Sequence, residues 1–218
     1  MSEPVARQRD HAYSSFTDKL LSRDIQPGQF VSQRELVELT GMPLGAIREM
    51  IPRLEADGLI RTSPKRGLQI LSIDLDLIRN AFQLRRIIEA EAFAGFCRTA
   101  QPDDLARIAR EHAEIREEAA GAVTPDVLDR AQRMDWAFHD HVVDHMQNRI
   151  VSDIYRVNSI KIRLIRNENT RMLPELVVSV MDEHMPIVDA LIARDEAATI
   201  AAVQAHINSA RSRALEFE

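Results

Sequence analysis

The chain has 218 residues, enough for one large domain or two small ones with a real core. Aromatics make up only 5% and Ala, Leu, Ile, Arg and Glu dominate, which suits a mainly helical protein. A net charge of −6 argues against a surface basic throughout, and a single cysteine, Cys97, excludes an internal disulfide framework or a thiolate zinc site. No apolar run approaches the roughly 18 residues of a membrane span, and the opening "MSEPVARQRD" has no signal-peptide core. A cytoplasmic protein with no membrane partner is the expectation.

In chain order, a first helix is expected over residues 12–21. The Pro-Gly of "RDIQPGQFVS" marks a turn. Ser32, followed three residues on by Glu35, forms a capping box that opens a second helix over 33–40, which stops at Gly41. A third segment, "PLGAIREMIPRLEADGLI", carries Ile47, Ile51 and Leu54 at helical spacing and ends at Asp57-Gly58. Pro52 inside it typically costs about 3 kcal/mol, so either a kink or a solvent-facing gap is expected there. "LIRTS" and "LQILSI" flank the basic turn "PKRG", the pattern of a hairpin. Three helices and a hairpin within residues 1–73 follow the winged helix-turn-helix plan.

From Asp74 onward the pattern becomes long helical periodicities with short breaks. Helices are expected near 74–98, 102–120, 125–147, 149–168, 174–193 and 195–215, several opening with proline just inside. The breaks read "TAQPDD", "GAVTPD", "NR", "RMLP" and "ARDE". The expected fold is therefore mainly α: an amino-terminal winged helix-turn-helix (1–73) followed by an antiparallel six-helix bundle (74–218). Residues 1–73 carry 10 Lys/Arg and 9 Asp/Glu, against 18 and 25 in 74–218. A near-neutral head of this kind can still turn a local basic face to DNA.

A helix-turn-helix lays its second helix in the major groove while the first helix and the wing hold phosphates. The reading helix would begin near Leu44-Gly45, with Arg48 one turn in and able to reach a guanine edge. Arg34 lies early in the preceding helix; Lys65 and Arg66 sit at the hairpin tip, with Gly67 allowing close backbone approach. Singly, each of these charges reads equally well as a solvated side chain. Their order argues for a DNA face.

The segment "DWAFHDHVVDH" places His139, His141 and His145 within seven positions. At 100° per residue, Asp135 and His139 fall inside the apolar stripe of Leu128, Ala131, Val142 and Met146, while His141 and His145 fall to its polar side. His184 lies among Val177, Val180, Val188 and Leu191, and His206 among Ala202, Val203 and Ala210. One carboxylate and three imidazoles facing an apolar interior need partners. Two readings fit: separate hydrogen-bonded core histidines, or a shared divalent metal, for which zinc or nickel suits such N/O ligands. Periodicity also leaves His112 open, near Leu105, Ile108 and Ile115.

The stretch "DIQPGQFVSQRELVELTGMPLGAIREMIPRLEADGLI" closely resembles the winged-helix domain of GntR-type bacterial transcription regulators. In that family, positions matching Arg34, Arg48 and the wing "KRG" contact operator DNA. The chain departs from the pattern at Pro43-Leu44, where the family usually carries Ser-Arg or Thr-Arg, so one contacting arginine is missing. The carboxy-terminal part resembles the FCD effector domain of the FadR branch. "DWAFH", "DEHMPIVDAL" and "AAVQAHI" match its metal-binding motif, which implies Asp135, His139, His184 and His206 as ligands and leaves His112, His141 and His145 without a counterpart. Six helices rather than seven imply the VanR-like subgroup.

The resemblance implies a dimeric repressor that binds operator DNA, with a divalent ion (zinc first, nickel or manganese as alternatives) and a small organic acid beside it. Arg85, near the stripe of Leu77, Ala81, Ile88 and Ala92, could pair with the carboxylate of such an effector or with Glu89 at i+4; Arg163 is a second candidate. The rival class is a metal-dependent hydrolase or oxygenase, which would need a spare inward acid or base, and none stands out. A third reading makes the metal purely structural.

Overall fold

The computed structural model describes residues 5–169 and 173–215, with side chains over 8–165 and 173–215. The chain divides after Asp74 into two compact units. The first contains α1 (Val5–Leu21), β1 (Phe30–Val31), α2 (Gln33–Thr40), α3 (Leu44–Ala56), β2 (Ile60–Ser63) and β3 (Gly67–Ile70). The Ser32 side chain accepts from the Glu35 amide while Glu35 Oε2 accepts from the Ser32 amide, so two otherwise orphaned donors at the start of α2 are satisfied. Gly41 closes the helix in the left-handed conformation, with φ of 69°. Phe16 and Leu20 from α1, Leu36 from α2, and Ile47, Met50 and Leu54 from α3 are all fully buried and form the core.

Two features go beyond the sequence pattern, and a third decides between two expected outcomes. The first helix begins at Val5, well before residue 12. The hairpin is a three-stranded antiparallel sheet in the order β1-β3-β2, because Phe30 and Val31 add a short strand opposite Gln69 and Leu68. Pro52 leaves α3 unbroken and is exposed, so its missing hydrogen bond faces solvent.

The second unit contains α4 (Leu75–Thr99), α5 (Pro102–Gly121), α6 (Pro125–Asp144), α7 (Arg149–Asn169), α8 (Pro174–Ile192) and α9 (Glu196–Leu215). Pro102, Pro125 and Pro174 each occupy the first turn of a helix, where a missing N–H costs least. α6 ends at Asp144, three residues before the expected end. The expected break at "RMLP" begins outside the described residues. α4 packs against α6, α7, α8 and α9, and buries Phe82, Phe93 and Phe96. Arg194, at the α8–α9 turn, donates to the carbonyls of Cys97 and Ala100 and so caps the end of α4. Among the described residues no helix is long and apolar enough to cross a membrane.

Candidate metal centre and nucleic-acid face

Three helices of the second unit bring Asp135 and His139 (α6), His184 (α8) and His206 (α9) together. One ligand atom from each lies within 4.8 Å of the others. All four residues are at most 2% exposed. Asp135 Oδ1 is 3.3 Å from His184 Nε2 and 3.9 Å from His139 Nε2. The Nε2 atoms of His139, His184 and His206 are buried, and none has a hydrogen-bond partner among the described residues. Burial pushes His184 and His206 down to about 4 and lowers His139 as well. The imidazoles are therefore neutral at pH 7, as ligation requires.

Each ring is held from behind through Nδ1. His139 Nδ1 lies 2.8 Å from Glu89 Oε2, His206 Nδ1 is 2.9 Å from Glu183 Oε2, and His184 Nδ1 is 3.2 Å from His112 Nε2. Glu89 Oε1 also accepts from Arg85 Nε at 2.6 Å and from the Tyr155 hydroxyl at 2.7 Å. Burial alone would raise the Glu89 carboxyl, but the Arg85 guanidinium beside it holds it well below the usual carboxylate range. Burial would likewise raise Glu183, yet hydrogen bonds from His206 and Arg213 hold it down at about 2. An outer layer of this kind fixes ring orientation and ligand basicity in metal sites. Three orphaned imidazole nitrogens and a carboxylate form a donor set that fits a divalent ion such as zinc.

The sequence pattern assigned Glu89 no part in the metal centre and did not single out Glu183. The only hint of Glu89 was its i+4 spacing from Arg85 on the apolar side of α4, and that intrahelical pair is present. His141 and His145 stay outside the cluster: His141 pairs with Asp104, and His145 Nε2 meets Thr99 Oγ1. Arg163 pairs with Asp140 at 2.6 Å and its guanidinium lies 4.7 Å from the centre of the Trp136 ring. Arg85, Arg163 and His139 border a void of about 10 Å³, room for a single water. A larger groove of about 450 Å³ opens between α5 and α6, with His112 and Phe138 among its lining residues.

In the first unit Arg34, Arg48 and Lys65 border one depression of about 580 Å³, formed by α2, α3 and the β2–β3 turn. Gly45 and Arg66 are exposed on the same elements. Arg48 Nε donates to Gln33 Oε1 at 3.1 Å, and Arg34 lies 3.6 Å from Glu38. The Arg66 guanidinium stacks 3.9 Å from the centre of the Phe30 ring. Gly67 serves an internal purpose: with φ of 95°, a Cβ there would meet the Val31 carbonyl oxygen at 2.8 Å. The close approach is to β1 within the chain.

Comparison with known proteins fits this architecture. The FCD domain matches residues 80–209. The chain is 24% identical over 199 residues to the Nta operon transcriptional regulator of Aminobacter aminovorans, covering 90% of each chain. Among solved structures, McbR/YncC of E. coli superposes with a TM-score of 0.76 at 14% identity over 99% of both chains. A GntR transcriptional regulator from Rhodococcus sp. RHA1 gives 0.75 at 18% identity, covering 98% of this chain and 99% of that one. At such identities the two structures speak for the fold alone. The chain belongs to the FCD-domain family. The Aminobacter aminovorans relative and the Rhodococcus structure are both named as transcriptional regulators.

Proposed function

We propose that the chain is a metal-containing, ligand-responsive repressor of the VanR-like subgroup that binds operator DNA as a dimer. Residues 1–73 serve as the winged helix-turn-helix domain, and residues 74–218 as the metal-binding, effector-binding and dimerisation domain. The observation that carries the reading is the convergence of three imidazoles and the Asp135 carboxylate, with one ligand atom of each within 4.8 Å of the others, in a buried core.

Asp135, His139, His184 and His206 hold the ion, zinc first and nickel or manganese as alternatives. Such an ion supplies a Lewis-acidic centre that takes an anionic oxygen. The charges around the site favour an anion. Glu89 is matched by Arg85 and Glu183 by Arg213, so Asp135 alone is left to offset a divalent charge. The effector is then a small carboxylate. Trp136 Nε1 and Arg163 Nε, buried donors without a partner among the described residues, belong to the residues lining the void beside His139 and suit one carboxylate oxygen each. Arg85 acts there through Glu89. The void must widen to admit an acid, and that movement is what the effector would transmit.

On the DNA side, Arg34, Arg48, Lys65 and Arg66 supply the contacts, with Gly45 leaving the start of α3 open to a backbone. The rival reading as a hydrolase or oxygenase finds no support in Glu89, the buried carboxylate behind His139, which is already engaged by Arg85, Tyr155 and His139. The test is elemental analysis of purified protein combined with melting curves in zinc, with and without small di- and tricarboxylates. Bound ion, a zinc-dependent rise in Tm, a further rise with an acid, and loss of both in His184→Ala are expected. Protein that carries no ion and melts identically with and without zinc would overturn the reading. Selection from a random duplex pool should return a near-palindromic site, and Arg48→Ala should relax its sequence preference.

A further inference from the structure

The layer behind the three imidazoles is uneven. His139 and His206 each turn Nδ1 to a carboxylate, whereas His184 turns Nδ1 to another imidazole, that of His112. His112 Nδ1 in turn lies 2.8 Å from the Ile108 carbonyl oxygen. A carbonyl oxygen only accepts, so the hydrogen is on His112 Nδ1. His112 is 1% exposed, and burial disfavours a charged ring, so the ring is neutral and its Nε2 keeps a lone pair. The hydrogen between the two rings therefore belongs to His184 Nδ1. His184 Nε2 is left bare, on the side that faces Asp135.

We infer that His112 is a positioning residue of the metal site: it relays the direction of the Ile108 carbonyl through two rings and fixes His184 in the tautomer that offers Nε2 as a ligand. The inference rests on the proposed metal site and adds to it a residue that makes no contact with the ion. Which imidazole nitrogen is free to ligate is decided by the bond the other one makes. For His139 and His206 a carboxylate decides it. For His184 the decision comes from a main-chain carbonyl one helical turn before His112 on α5, so α5 contributes to the site without supplying a ligand.

The test has two arms. In metal-free protein, imidazole nitrogen-15 spectra should show His184 protonated at Nδ1 and bare at Nε2, and His112 the same. His184 protonated at Nε2 would overturn the inference without any metal being added. In the second arm, Zn²⁺ is titrated against a chromophoric chelator and Co²⁺ absorption is recorded for the parent, His112→Phe and His112→Gln. Phe keeps an aromatic ring against Phe138, whose centroid lies 4.8 Å away, and its extra bulk borders the α5–α6 groove. It cannot accept a hydrogen bond. The Gln amide oxygen can accept near where Nε2 does.

His112→Phe should weaken Zn²⁺ binding roughly 10- to 100-fold and alter the Co²⁺ bands, while His112→Gln stays within a few-fold of the parent. Equal affinity in the parent and His112→Phe would overturn the inference, as would equal losses in Phe and Gln, which would mean that only ring packing matters. A parent that takes up neither ion would instead overturn the metal reading itself.

Discussion

The two units of this chain treat charge in opposite ways. In the first, the residues proposed to meet DNA are on the surface: Arg34, Arg48, Lys65 and Arg66 are all exposed, and the partners of Arg34, Arg48 and Arg66 are Glu38, Gln33 and the Phe30 ring. In the second, Arg85, Glu89, Asp135, His139, His184 and His206 are all between 0 and 4% exposed. A surface charge acts at a distance, is screened by salt, and can lose its neighbour at little cost. A buried one must be partnered on every side, because an uncompensated charge in a low-dielectric core costs several kcal/mol. The proposed DNA face can therefore be assembled residue by residue, whereas the proposed metal centre stands or falls as a network.

The strongest way to break that contrast is to cut the network at Glu89. Removing its carboxylate leaves Arg85 buried and charged, and takes support from His139 and Tyr155 together. Glu89→Ala should destabilise the metal-free protein by about 3–5 kcal/mol, read by urea unfolding, while Arg34→Ala leaves the midpoint unchanged. The double variant Arg85→Leu/Glu89→Leu should recover much of the loss, since neither charge is then stranded. A Glu89→Ala protein as stable as its parent would mean that the buried charges do not act as a unit.

Acid probes the same contrast less severely. The imidazoles of His112, His184 and His206 titrate near 4 when folded, against an ordinary value of 6.5. The unfolded chain therefore binds more protons than the native one between those values. The stability that comes from keeping the rings neutral is complete above about 6.5 and is lost as pH falls toward 4. Calorimetry in chelator should show Tm declining through that window, and zinc should protect least at its acid end, where protons compete for the ligand nitrogens. A flat profile would mean that these rings are more hydrated than their burial implies.

How much of each unit was legible in the sequence follows from the same division. The capping box at Ser32 and Glu35, the turn at Gly41 and the prolines opening α5, α6 and α8 are local signals, set within a few residues. Asp135 and His139 share a helix at i,i+4, so periodicity could turn both inward. Periodicity could not say what stands behind a ring. Glu89 reaches His139 from 50 residues away in sequence, and His112 reaches His184 from 72 away. Those meetings depend on how α4 packs on α6 and α5 on α8, which no local pattern encodes. β1 was missed for the related reason that a two-residue strand exists only by pairing with β3.

The smallest expected effect lies on the DNA face and sharpens the comparison from its other side. Lys65 sits in the turn between β2 and β3 with φ of 64°, a left-handed conformation that costs alanine about as much as lysine. Lys65→Ala therefore removes the charge without changing the turn, and Tm should not move. If Lys65 holds a phosphate, binding to any duplex should weaken uniformly across sequences, and the slope of log affinity against log salt should become shallower by roughly 1. Lys65→Gly should show the same shallower slope together with a slightly higher Tm, because only glycine occupies that region without strain. An unchanged slope in both variants would take Lys65 out of the phosphate contacts. A fall in Tm for Lys65→Ala would show that this charge, too, is structural, and would blur the line between the two units.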